Sequence, residues 1–206
     1  MTPEQWWGAA LFMLVSSITP GPNNTMLMAS GVHFGYRRTL AHLMGVQLGF
    51  GFMLIAVGLG LHAVLSQFPA FYDVVRCAGG AYMVWMAWSL ASARPHVQEH
   101  AAMEQSSPNE PQPLGFWGAV LFQWVNPQAW VMAVTLMSAY VPPGAGLLQI
   151  APLGLMFAVL GFPCSSVWVG FGSALRSYLQ DAFRMRVFNC SMAAALLASL
   201  YPMLTG

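Results

Sequence analysis

The chain contains no lysine, and charged residues make up only 6% of its 206 residues. Soluble domains carry about 25% charged residues, so most of this surface does not face water. Net charge is +1. Without clustered cations a nucleic-acid partner is excluded, because phosphate binding rests on grouped basic side chains. Cysteine is sparse too. Cys77, Cys164 and Cys190 each fall in an apolar stretch and none has CxxC spacing, so neither a metal site nor a disulfide framework is indicated. They read as small apolar packing residues. The six acids, Glu4, Asp73, Glu99, Glu104, Glu110 and Asp181, all lie at the ends of apolar runs or between them. That leaves no carboxylate for a proton relay inside a membrane, and no metal or cofactor is expected. No nucleophile–base constellation appears within the runs, so an enzyme is not indicated.

What is present is hydrophobicity, at 57% of the chain. It comes in continuous runs rather than the alternation of barrel strands, which specifies an all-α integral membrane protein. Runs of roughly 20 residues lie near 6–30, 41–65, 71–92, 114–140, 147–175 and 187–204. The first has no basic segment before it and ends in Pro-Gly-Pro rather than a cleavage site, so it is expected to be a retained span. Between the third and fourth runs, 93–113 is a polar linker rich in proline and acid. It divides a single membrane domain into 1–92 and 114–206. Arg37, Arg38, Arg94, Arg176, Arg184 and Arg186 fall on one side of the membrane and only Arg76 on the other. The positive-inside bias makes the first side cytoplasmic and puts both termini outside. If the first run does not fully cross, five spans with the N-terminus inside are the alternative.

Three spans per half make the second half enter upside down, an inverted repeat. Thr19-Pro20-Gly21-Pro22-Asn23-Asn24 interrupts the first run, and Val125-Asn126-Pro127-Gln128-Ala129 interrupts the fourth. These are corresponding positions. Val74-Val75-Arg76-Cys77-Ala78 and Val187-Phe188-Asn189-Cys190-Ser191 add a weaker match between the third and sixth. Gly45 with Gly49, Gly79-Gly80-Ala81, and Gly170 with Gly172 are close-packing surfaces, compatible with a homodimer. Trp6, Trp7, Trp85, Trp88 and Trp117 read as interfacial anchors in a lipid bilayer.

A helix broken in hydrocarbon leaves backbone groups unpaired unless the break lies in protein or lines a polar cavity. Paired breaks point to a small-solute site at the bilayer midplane. Pro22 suits the first turn of a new half-helix, since its missing N–H would have no partner there anyway. The N–H groups behind it carry about half a positive charge and suit a carboxylate. The carbonyls ending the first half-helix offer acceptors for an ammonium. The binding set is therefore Pro20, Gly21, Pro22, Asn23, Asn24, Asn126, Pro127 and Gln128. Gln47 joins it either as a substrate ligand or as a helix bridge. Arg76 is either a carboxylate-binding cation or the partner of Asp73 in a surface ion pair. His42 and His62 flank the second run, as proton carriers or as loop-edge histidines.

A plain proline kink is the bland alternative at each break, weakened by their pairing and their adjacent asparagines. A different class, a membrane thiol-redox electron carrier, shares the inverted plan with prolines in the first and fourth spans. It would need cysteines at the breaks, and only Cys77 and Cys190 form a symmetric pair.

At the two breaks, at 31–49, at Ala81-Tyr82-Met83-Val84-Trp85 and at Phe122-Gln123-Trp124-Val125-Asn126-Pro127, nearly the whole chain resembles the LysE/RhtB family of amino-acid exporters. Pro-Gly-Pro-Asn-Asn with Ala-Tyr-Met-Val-Trp-Met-Ala-Trp is most similar to the branch exporting cysteine and O-acetylserine. The resemblance implies export of a small amino acid from the cytoplasm across the bacterial inner membrane, driven by protons, with Pro20, Gly21, Pro22, Asn23, Asn126 and Pro127 as functional break residues. Two departures bear on substrate. Many members have lysine where Gln128 stands here. Exporters of basic amino acids tend to have an acid near Gln47, and its absence implies a neutral cargo such as cysteine, O-acetylserine, serine or threonine.

Overall fold

The computed structural model describes residues 1–61, 69–93, 112–142 and 144–198; within these, the side chains of 61, 69–73, 75 and 76 lie outside the described set. Most of the polar linker, His62, the Asp73–Arg76 pair and the end of the sixth run therefore fall outside it. All regular structure among the described residues is helical: α1 (Pro3–Ile18), α2 (Pro22–Ala56, continued by a π-turn Val57–Leu61), α3 (Pro69–Ser92), α4 (Phe116–Val125), α5 (Pro127–Tyr140), α6 (Leu147–Leu175) and α7 (Ala182–Ala198). Local chemistry explains the starts. Prolines open α1, α2, α3 and α5, where their missing N–H costs nothing. Thr2 and Gln5 form a reciprocal capping box. Asp181 caps α7 by accepting from the N–H groups of Phe183 and Arg184, both at 3.0 Å.

Two stretches, Pro22–Gly60 and Leu147–Leu175, are long and apolar enough to cross a membrane. The first is not one straight rod. Gly35 leaves helical geometry at φ 78°, ψ 169°, a backbone region open to glycine and strained for other residues. Asn24 and Gln47 would lie roughly 35 Å apart on a straight helix at about 1.5 Å per residue. Both nevertheless reach Ser165 on α6. The chain therefore folds back at Gly35 into two antiparallel arms, 22–34 and 36–56. Thr39 Oγ1 locks the turn by donating to the Gly35 carbonyl at 2.8 Å, with Ser30 Oγ at 3.2 Å.

α6 packs along both arms at glycine contacts. A Cβ on Gly31 would strike the Val169 carbonyl, one on Gly172 the Met28 carbonyl, and one on Gly154 the Gly51 carbonyl. Gly45 lies against the Phe116 carbonyl of α4, and Gly79 of α3 against the Val125 carbonyl at the α4–α5 break. Helices without a hydrophobic drive between them associate by such close approach. Outside, the protein is apolar: Trp7, Trp85, Trp88 and Trp117, with Leu121, Leu148 and Phe171, are exposed. Inside sits a polar set that includes Asn24, Thr39, His42, Gln47, Gln123, Asn126 and Ser165. This inverts the ordinary soluble arrangement and suits a bilayer.

Three expectations change. Cys77 and Cys190 are exposed and Cys164 is only partly buried, so they are not core packing residues; a lipid-facing surface has no reason to hide a thiol. His42 is not at a loop edge. Helix resumes straight after Gly35, which places His42 well inside α2, 2% exposed, with neither ring nitrogen partnered among the described residues. α7 begins at Ala182 rather than near 187, because the Asp181 cap draws Arg184 and Arg186 into the helix.

The breaks in α1–α2 and α4–α5 stand as non-helical backbone, with Gly21 and Asn126 extended. Their loose ends are tied internally. Asn24 Nδ2 donates to the Ser17 and Thr19 carbonyls at 2.7 and 2.8 Å, and Trp168 Nε1 to the Ile18 carbonyl at 3.2 Å. Trp130 Nε1 crosses the second break to the Trp124 carbonyl at 2.9 Å. Asn24→Asp keeps the shape but loses the donors. We expect it to destabilise at least as much as Asn24→Ala, by about 1–3 kcal/mol per orphaned carbonyl; wild-type thermal stability of the aspartate variant in detergent would refute this. Gly79→Val should lower the unfolding midpoint by several degrees, since overpacking costs about 1–3 kcal/mol. Gly170→Ala, with nothing within 4 Å of the new Cβ, should leave the midpoint unchanged or slightly raised.

Candidate functional site

The two breaks meet at one cavity of ≈ 30 Å³, room for about two water molecules. Of the expected binding residues, Gly21, Asn23, Asn24, Gln47, Asn126 and Gln128 line it. Pro20, Pro22 and Pro127 do not. They shape the breaks from behind, Pro20 exposed and Pro22 buried. The side chain of Arg76 lies outside the described residues. Contact between the breaks is direct: the Gln128 amide rests on Gly21, leaving no space for a Cβ there.

Ser16, Ser17, Thr19 and Ser165 also line the cavity, with Phe50, Met132 and Phe157 among its apolar walls. Of these polar residues, the sequence motif at the first break includes only Thr19. Ser17, one turn before Pro20, and Ser165, just after Pro163, are small polar residues inside apolar runs, and that was the available signal. Every described lining residue is uncharged.

The two new helix starts differ electrically. At α5 the Asn126 side chain accepts from the Gln128 N–H at 3.1 Å, so that end is closed by its own cap. At α2 the cap position is Gly21, which has no side chain to offer. Its first-turn N–H groups keep their partial positive charge beside the cavity. Asn23, next along, exchanges two hydrogen bonds with Gln123 at 2.9 and 3.1 Å. Gln123 is fully buried and also donates to the Ala119 carbonyl at 3.0 Å. The pair therefore bolts the first turn of α2 to the last turn of α4 and holds the breaks in register.

The carbonyls ending α1 already have donors from the protein: Asn24 bonds those of Ser17 and Thr19, and Trp168 that of Ile18. The break itself turns Asn24, in the first turn of α2, back onto the end of α1. The thiol-redox alternative finds no support, since none of the three cysteines lines the cavity.

Comparison with known proteins accords with this geometry. A Salmonella typhimurium protein described as a cysteine/O-acetylserine efflux protein is 29% identical over 200 residues, covering 96% of this chain and 95% of its own length. The Escherichia coli K12 protein of the same description is 28% identical over the same shares. No solved structure matches. The family model for LysE type translocators matches residues 14–200, and the chain therefore belongs to the LysE type translocator family.

Proposed function

We propose that this protein exports small neutral amino acids of the cysteine, O-acetylserine, serine or threonine kind from the cytoplasm across the bacterial inner membrane. It works by alternating access and is coupled to protons. The observation that carries the reading is the uncapped start of α2, aimed at a cavity with no charged lining residue. Free first-turn N–H groups attract a carboxylate. A site with no ionised side chain has nothing to neutralise a second charge on the cargo, so basic and acidic amino acids fit poorly. The efflux relatives support the same substrate class by their descriptions.

The cavity is too small for an amino acid as it stands, so the helices have to part to load it. The glycine contacts between α2, α4 and α6 permit such sliding, and the breaks are where α1–α2 and α4–α5 can bend without losing further backbone hydrogen bonds. Six crossings in two inverted halves complete the proposal. The Gly35 turn, which makes two arms of α2, and the one-sided arginines support it.

Flux into proteoliposomes under an imposed pH gradient tests the reading. A neutral amino acid should move and lysine and arginine should not. Pro22→Ala and Asn126→Ala should abolish transport with normal insertion. Normal export by both variants would refute the site. For topology, a tag at the N-terminus should be reachable from the periplasmic side of intact spheroplasts; protection of the tag would favour five spans.

A further inference from the structure

The side-chain hydrogen bonds around the cavity run in one direction, and that direction identifies which atom is left over. Asn24 faces the Ser17 and Thr19 carbonyls at 2.7 and 2.8 Å. Only its NH₂ can donate to carbonyls, so its Oδ1 must turn toward Ser165. The Ser165 hydroxyl has a single proton and gives it to that oxygen, at 3.4 Å. It must then accept from Gln47, whose Nε2 lies 2.8 Å away. That direction assigns the Nε2 of Gln47 to Ser165 and turns its Oε1 out of the relay.

Gln47 Oε1 is an acceptor with no partner among the described residues, on a side chain only 2% exposed. Ser17 Oγ is unpartnered as well, at 6% exposure. Both residues line the cavity, and both atoms converge on Gly161. A Cβ at Gly161 would lie 3.2 Å from Ser17 Oγ and collide with Gln47 Oε1. Glycine at 161 thus leaves room for Gln47 Oε1 to rest against its backbone, with Ser17 Oγ nearby. An orphaned buried acceptor is costly, and two in the lining of one cavity define a place for a donor-rich, positively charged group.

Within the exporter reading on which it rests, we infer that Gln47 Oε1 and Ser17 Oγ seat the α-ammonium of the cargo. Gly161 lets the Gln47 oxygen take up its place in the seat, and the start of α2 takes the carboxylate at the opposite end. The relay through Ser165 and Asn24 orients Gln47 and ties the ammonium seat to the end of α1. Gln47 and Ser17 are binding residues; Asn24 and Ser165 act through Gln47 and are positioning residues.

The test compares L-cysteine with 3-mercaptopropionate, which lacks only the amino group, by calorimetric titration of detergent-purified protein under reductant. The wild type should bind L-cysteine at least about tenfold tighter, the scale of one hydrogen bond to a charged group. Gln47→Leu should bring the ratio near one through loss of cysteine affinity alone. Gly161→Ala displaces the Gln47 oxygen by the collision of its Cβ and should do the same, so the test survives if the leucine variant does not fold. An unchanged ratio in a folded variant, or equal weakening of both ligands, overturns the seat and leaves the exporter reading standing. A wild type that binds none of L-cysteine, O-acetylserine, serine and threonine overturns that reading and the seat with it.

Discussion

A backbone N–H or C=O group in hydrocarbon must find a partner inside the protein, and this one constraint organises the structure. Each broken helix exposes such groups where lipid offers nothing. Asn24, Trp168, Trp130 and Asn126 supply partners at four places. Among the described residues, the buried side-chain polar atoms left without a partner are Ser17 Oγ and Gln47 Oε1, on residues that line the cavity, and the two ring nitrogens of His42 deeper in α2.

Steric economy serves the same end. Side chains able to pair with freed backbone groups are short, so the helices bearing them have to come close. Glycines at 31, 45, 79, 154 and 172 let backbone meet backbone, and the amides of Asn23 and Gln123 can then reach each other. Were larger residues at these positions, the same asparagines and glutamines would hang in apolar surroundings at a cost of about 1–3 kcal/mol each. Close packing and buried polarity are therefore one design seen from two sides.

Local chemistry made the breaks legible in the sequence. Proline and glycine act on their own backbone, so Pro20-Gly21-Pro22 and Asn126-Pro127 announce themselves without knowledge of the fold. Most residues adjoining them proved to line the cavity for the same reason. Ser165 as the centre of a relay and Gly161 as the rest for the Gln47 oxygen were not legible, because each role depends on a helix far away in sequence. Asn24 bonds carbonyls only seven and five residues back, but which partners it takes depends on the geometry of the break. Gly35 lies between the runs 6–30 and 41–65, where the chain was expected to reverse; that helix continues almost directly on both sides of it was not. The cysteines misled because the habit of thiols to be buried belongs to proteins surrounded by water. His42 misled because the helix boundary was drawn too late.

The relay from Gln47 to Asn24 also bears on biogenesis. The two arms of α2 can pair as soon as both have left the ribosome, since their contacts are local across Gly35. Ser165 follows Gln47 by 118 residues, so it arrives much later in synthesis. Until α6 docks, the Asn24 oxygen and the Gln47 amide lack their Ser165 partner, while the Asn24 donors are already held by α1. A chain truncated before α6 keeps those atoms unmatched, at a cost of about 1–3 kcal/mol each. Docking of α6 is thus the step that completes the polar interior.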